Sequence, residues 1–304
     1  MRKNGDLRRE ARQLVAGKWF WRILWVTMLL NLVSYLANAI VVAVYAHMGI
    51  NEWTQLVQKK IEAVQQGLEY TLPSTAAWLD LAGASLFQFF IAYIFGSIAA
   101  FGIARLVLKA AAHWEGDDWM KGTFGGFGRP LELAWLLFLL NVRVCLWTIV
   151  LWLPAVLVFS RLLGSTLLAC VCAAPFALPG VIAIYRYRQA WFLKAEDPSL
   201  SASACLRASA AMMKGFKWKA FCFDMGYILW AFVGVFVLAI VAMLAGPLKG
   251  AVPLVADLIS VVSVFAVCGY FVWLTVCLIV GRAVFYRDQK KPAESAEAEP
   301  AELT

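Results

Sequence analysis

Charge is scarce in this 304-residue chain, where Asp, Glu, Lys and Arg together supply 15% of the residues. So little charge cannot clothe a fold of this size in the mixed-sign shell that water-soluble proteins carry, and an ordinary soluble domain is excluded. Histidine is scarcer still: only His47 and His113 are present. A His-Glu-x-x-His zinc-protease motif is therefore absent, and a His-based triad would have to span two faces of the topology read below. The seven cysteines are scattered, and Cys170 and Cys172 lack a second Cys or His pair, so neither a disulfide scaffold nor a metal site is indicated. Gly and Pro number 21 and 10, too few for a collagen-like or low-complexity chain. Short alternating segments of the β-barrel kind are missing. The glycine-rich run Gly122 to Arg129 lacks both the Gly-Lys-Ser/Thr ending and the preceding strand of a phosphate loop. No catalytic residue, metal or cofactor is implied, and the expectation is a protein that is not an enzyme.

What the chain has in abundance is apolar length. Its hydrophobic fraction is 62%, and about 66% once glycine replaces tyrosine in the count, against about 45–50% in soluble domains. A hydrocarbon core about 30 Å thick needs about 20 apolar helical residues to cross it. Six stretches qualify: Trp19 to Ala46, Leu81 to Ala104, Leu131 to Ser160, Leu162 to Tyr185, Ala220 to Gly246 and Gly250 to Gly281. Helices satisfy each backbone amide within the segment, so the expected fold is an all-α, polytopic transmembrane bundle of about six spans. With the N-terminus inside, 22 of the 27 Lys and Arg residues fall on the interior face, leaving Lys59, Lys60, Arg161 and Lys249 outside and Arg143 within the membrane. That asymmetry points to a multi-pass membrane protein with both termini in the cytoplasm. The net charge of +8 then needs no nucleic acid to explain it. The first apolar run is too long for a cleaved signal peptide and reads as a retained span.

Three segments outside the spans are amphipathic. In residues 1–18, Leu7, Ala11, Leu14 and Val15 share a face while Arg8, Arg9 and Arg12 point elsewhere, with Asp6 at the start and Gly17 at the end. This reads as a helix lying on the anionic inner leaflet. A second runs from Ser199 to Lys214, stopped by Gly215, and a third, marked by Trp53, Leu56, Val57, Ile61 and Val64, is expected on the outer surface. Residues 19–286 form the six-span domain, and the acidic residues 287–304 read as a disordered cytoplasmic tail.

The run Leu7-Arg8-Arg9-Glu10-Ala11-Arg12 with Leu14 and Gly17-Lys18-Trp19 resembles the opening of a bacterial integral-membrane family, domain of unknown function 975. Also similar are Phe124 with Gly126-Phe127, Leu146-Trp147, and Leu178-Pro179-Gly180-Val181-Ile182 before Tyr185. The most specific stretch is Asp197-Pro198 followed by Ser209, Met213-Lys214-Gly215, Phe221 and Trp230. The resemblance implies the topology and no reaction. Measured against that family, Ala155 to Ala177 reads as an insertion, leaving open whether Pro175, Pro179 and Gly180 sit in a loop or kink a long fourth helix.

Charges inside spans are costly and mark a path or a pair. Arg143 lies roughly 18 Å into its helix, Asp224 roughly 6–8 Å from the inner end of its span, and Asp257 roughly 9–10 Å from the outer end of its own. With Asn141 they form a candidate polar intramembrane site, either a cavity for an anion or ion, or a satisfied structural network. Ala84, Gln88, Ala92, Gly96, Ala100 and Ala104 recur every four residues, a small-residue stripe suited to close helix packing within the chain or with another subunit. His113, Glu115, Asp117 and Asp118 crowd one interior loop, which reads as a capped turn rather than a cation site. The leading expectation is a non-enzymatic membrane protein acting through anionic lipid, a membrane-protein partner or a second copy. The alternative is a small transporter built around Arg143, and a membrane-embedded enzyme has least support.

Overall fold

The computed structural model describes residues 2–47, 62 and 75–297 of the chain. Every regular element among them is helical: α1 (Asn4–Leu14), α2 (Phe20–His47), α3 (Thr75–Ala111), α4 (Pro130–Leu163), α5 (Thr166–Ala173), α6 (Leu178–Tyr187), α7 (Ala190–Glu196), α8 (Ala202–Met212), α9 (Lys217–Ala251) and α10 (Pro253–Glu297). Six stretches among them are long and apolar enough to cross a membrane: Asn4–Val44, Leu86–Ala111, Pro130–Leu162, Leu167–Glu196, Lys217–Ala245 and Asp257–Lys290. The all-α bundle of six spans read from the sequence is thus the fold. The expected helix around Trp53 to Val64, and residues 298–304, lie outside the described residues, apart from Glu62, which is helical.

Local chemistry sets the breaks. Pro130 begins α4, where the missing N–H is not needed, with Glu132 in its first turn. Gly164 ends it in the left-handed conformation, φ 63°, its N–H bonded to the Ser160 carbonyl. Ser165 and Ser201 accept hydrogen bonds from backbone N–H groups of Leu168 and Ala204 and so cap α5 and α8. A 3-10 turn at Ala174–Ala177, holding Pro175, joins α5 to α6. Pro175, Pro179 and Gly180 therefore bend the fourth span rather than open a loop. At Gly180 the bend meets α4 so closely that a β-carbon would stand 1.9 Å from Thr148 Oγ1.

Packing is concentrated at the end of the bundle where both termini meet; there Arg2 Nε donates to Asp288 Oδ1 at 3.0 Å. Leu7, Ala11, Ile23, Leu106, Leu133, Met213, Phe223, Phe285 and Tyr286 form its buried core. The opposite half presents apolar side chains to its surroundings, among them Leu36, Phe89, Val150, Phe236 and Phe265. An apolar surface of that extent is compatible with contact with lipid. At 1.5 Å per residue the last span, 34 residues long, measures about 51 Å against a hydrocarbon core of about 30 Å. Its terminal part overruns the core, which is where buried polar side chains such as Gln189, Lys194, Ser209 and Asp288 gather.

Two expectations about the ends are corrected here. The apolar face of α1 is covered by protein: Leu7 and Ala11 are fully buried and Val15 nearly so, and α1 lies chiefly along α10, touching α9. The same period that suits a lipid surface suits a groove between two helices, and here the groove is present. Asp6 sits in the first turn, with Lys3 as the preceding N-cap residue, and the helix gives way at Leu14 to a π turn broken by the non-helical Gly17. At the other terminus, α10 continues to Glu297. Asp288 is buried and Lys290 pairs with Glu196, so residues 287–290 belong to the packed bundle and the tail begins later than 287.

Candidate functional site

The strongest concentration of charge at the terminal end is a cluster on α6, α9 and α10. Asp224 of α9 lies 3.0 Å from Arg188 Nη2 and 3.0 Å from Arg282 Nη2, and Tyr185 Oη donates to it at 3.4 Å. The side chains of Arg188 and Asp224 are each 6% exposed. Arg188 is further held by the Ala220 carbonyl and by the rings of Tyr185, Phe223 and Phe285, whose centroids lie 5.5–5.8 Å from its guanidinium carbon. Two guanidinium groups thus share one carboxylate, and the cluster keeps a surplus positive charge. Burial makes disruption of the pairing costly, because a lone charge would be left out of water.

A second tier of polar contacts lies closer to the termini. Lys194 of α7, almost fully buried, pairs with Glu132 of α4 and donates to the carbonyls of Pro198 and Leu200. Arg129 also donates to the Pro198 carbonyl, at 2.8 Å. Ser209 Oγ accepts from the Gln189 N–H and donates to the Arg186 carbonyl, bridging α8 to the α6–α7 junction. Gln189 reaches Gln289 at 2.9 Å, and Glu196 accepts from Tyr286 and Lys290. Asp197 Oδ1 accepts from the side chain and the backbone N–H of Ser199, which hold its carboxyl below the usual range. Burial pushes the neighbouring Cys205 thiol up. Apart from those within the Asp197–Leu200 turn, these contacts tie separate parts of the bundle together.

One region of the terminal end is different. α9 and α10 meet where Tyr270 packs on Gly234 and donates to the Trp230 carbonyl at 2.7 Å. Towards the termini they enclose a wedge with α1. Asn4 donates to the Lys219 carbonyl and Lys219 to the Arg2 carbonyl, while Arg2 pairs with Asp288 and Glu10, so α1 is clamped along the wedge. A cavity of about 390 Å³ remains there, lined by Gly5, Arg8, Arg12, Tyr227, Trp230, Tyr270, Trp273 and Leu274. Arg8 lies flat across Gly226, where a β-carbon would stand 1.5 Å from its Nη1, and its Nε donates to the Asn4 carbonyl. Arg12 is exposed. Among the described residues neither Arg8 nor Arg12 forms an ion pair, and the buried hydroxyl of Tyr227 has no hydrogen-bond partner.

The residues singled out in the sequence are dispersed. Arg143 lies over the Tyr187 ring, 5.6 Å from its centroid, and Asn141 donates to Tyr93 Oη at 2.9 Å. Asp224 joins Arg188 and Arg282, and Asp257 stands near the start of α10, at the opposite end from them. The trio Arg143, Asp224 and Asp257 is therefore not assembled into one site. In the small-residue stripe Gly96 is exposed with nothing within 4 Å of a β-carbon, whereas Ala104 is buried. The close approach falls at Gly102, where a β-carbon would stand 2.7 Å from the Thr123 carbonyl oxygen. Ala92 and Ala100 are half-buried. His113 lies 3.5 Å from Glu10, linking its loop to α1.

Several residues of the family resemblance have clear structural roles, although Leu146, Trp147, Val181 and Ile182 are exposed. Gly17 breaks α1 from α2, and Pro179 and Gly180 set the α4–α6 crossing. Asp197 and Pro198 organise the turn that receives Lys194 and Arg129. Ser209 and Met213 are buried, Lys214 is exposed, and Gly215 takes the left-handed conformation, φ 83°. Trp230 lines the cavity. Sequence reasoning missed Arg188 and Arg282 as partners of Asp224, although all three stood at the same end of their spans. A family model with the description "Protein of unknown function (DUF975)" matches residues 1–291. No curated protein and no solved structure matches the chain.

Proposed function

From the premise that this chain belongs to the DUF975 family, whose description carries no activity, we propose that it is a non-enzymatic, multi-pass protein of the bacterial cytoplasmic membrane acting through contacts with lipid. In this reading both termini face the cytoplasm, the side that then carries 22 of the 27 basic residues. The basic terminal end then rests against the anionic inner leaflet.

One observation carries this reading. Buried charged side chains at the terminal end tie helices together, Asp224 with Arg188 and Arg282, and Lys194 with Glu132. Arg143, the candidate for a transport path, covers the Tyr187 ring. That arrangement supports a rigid platform over a permeation route. The full chain in nanodiscs containing phosphatidylglycerol should resist thermal unfolding better than in phosphatidylcholine nanodiscs. Equal stability in both would remove the lipid-contact reading, and a substrate-dependent flux abolished by Arg143→Gln would replace it with transport.

A further inference from the structure

We infer that the cavity between α1, α9 and α10 binds the phosphate-bearing headgroup of an anionic phospholipid, an assignment that rests on the lipid-contact reading above and gives it a site. The charge balance is the first argument. Arg8 and Arg12 line the cavity with no acidic residue among its lining, and Asp224, on α9, is already shared by Arg188 and Arg282. Of these four guanidinium groups only Arg188 and Arg282 pair with a carboxylate among the described residues. Guanidinium is the side chain best matched to a phosphate, because its planar fork offers paired N–H donors.

The walls decide which phosphate. Trp230, Tyr270, Trp273 and Leu274 are apolar or amphipathic, and they belong to two helices long and apolar enough to cross a membrane. Trp230 is 55% exposed, so the cavity opens sideways past an indole on the surface of α9. Trp and Tyr favour the level where headgroups meet acyl chains. A soluble anion needs no such wall, whereas a lipid places its phosphate at the two arginines and its glycerol and first methylenes against the rings. The volume of about 390 Å³ accommodates a headgroup of this kind. The buried Tyr227 hydroxyl, which lacks a partner among the described residues, stands in the same wall.

The geometry also supplies a perturbation that keeps the charge. Arg8 occupies the space that a side chain at Gly226 would need, so Gly226→Ala displaces the guanidinium while leaving both arginines in the chain. The moved atoms are the end of a flexible side chain.

The test is native mass spectrometry of the full chain in mild detergent, titrated with phosphatidylglycerol, with phosphatidylcholine of the same acyl chains, or with inorganic phosphate. The wild type is expected to retain one phosphatidylglycerol in preference to phosphatidylcholine. Arg8→Gln with Arg12→Gln should weaken that retention about 25-fold, at about fivefold per charge near a lipid headgroup. Gly226→Ala should weaken it severalfold, and Arg9→Gln, on an exposed residue outside the cavity, should leave it unchanged. Equal retention of the two lipids, retention unaffected by both the double variant and Gly226→Ala, or displacement of the lipid by millimolar inorganic phosphate would each overturn the assignment. If the variants keep their lipid while phosphatidylglycerol still stabilises the wild type, this site is wrong and the lipid-contact reading stands; if the wild type neither retains nor responds to phosphatidylglycerol, both fall.

Discussion

Replacing Asp224 with Asn removes the one carboxylate that two arginines share and changes little else in size. Arg188 suffers most, because its side chain is 6% exposed and its remaining anchors are the Ala220 carbonyl and three aromatic rings. Removing one partner of a buried pair costs about 3–5 kcal/mol, since the other charge is left uncompensated. Arg282 adds less, for it is 39% exposed and solvent takes over part of the lost interaction. The expected loss is therefore about 3–4 kcal/mol, measured as the unfolding free energy of the detergent-solubilised protein in a denaturant titration. Pairing the change with Arg188→Met removes the stranded charge and fills its space, so the double variant should recover more than half of the loss. A loss below about 1 kcal/mol for Asp224→Asn, or no recovery in the double variant, would mean that the cluster is wetter and looser than its geometry states.

Leu7→Ala should cost about 2–5 kcal/mol, because Leu7 is fully buried between α1 and its neighbours, and should release α1 to limited proteolysis; an unchanged cleavage pattern would return α1 to the lipid surface. Gly102→Ala should destabilise by about 1–3 kcal/mol as its β-carbon meets the Thr123 carbonyl, while Gly96→Leu should leave thermal stability of the isolated chain unchanged because that face is open. A drop for Gly96→Leu equal to that for Gly102→Ala would reverse the assignment of the close contact. Gly180→Val should lower stability through Thr148, and Thr148→Gly in the same chain should restore part of it; no restoration would locate the strain elsewhere.

The six spans were legible because apolar length is a property of the chain taken one residue after another, and lipid tolerates no other way of satisfying the backbone. The kink at Pro175 and Pro179 was legible as a choice between two outcomes, and the sequence held no term to decide it. The direction in which α1 faces was not legible at all: Leu7, Ala11 and Val15 form the same stripe whether protein or lipid covers them. The candidate site fared worst where depth was estimated from one helix alone. Arg143 was placed by its rise along α4, yet a long side chain reaches a ring on another helix several residues away. Asp224, Arg188 and Arg282 all stood near the same ends of their spans, so matching levels across spans would have found the cluster. The cavity itself depends on how α1 meets α9 and α10, which no spacing within one helix encodes.

The central claim is that a charged, closely tied terminal end, α1 included, holds anionic lipid and offers no path through the bundle. Cryo-electron microscopy of the full chain in phosphatidylglycerol nanodiscs tests it most directly. The account predicts α1 seated in the wedge between α9 and α10, headgroup density between Arg8 and Arg12, and Asp224 closed between Arg188 and Arg282. An α1 lying apart from the bundle on the membrane surface, or a continuous water-filled path running past Arg143 to the opposite end, would contradict it.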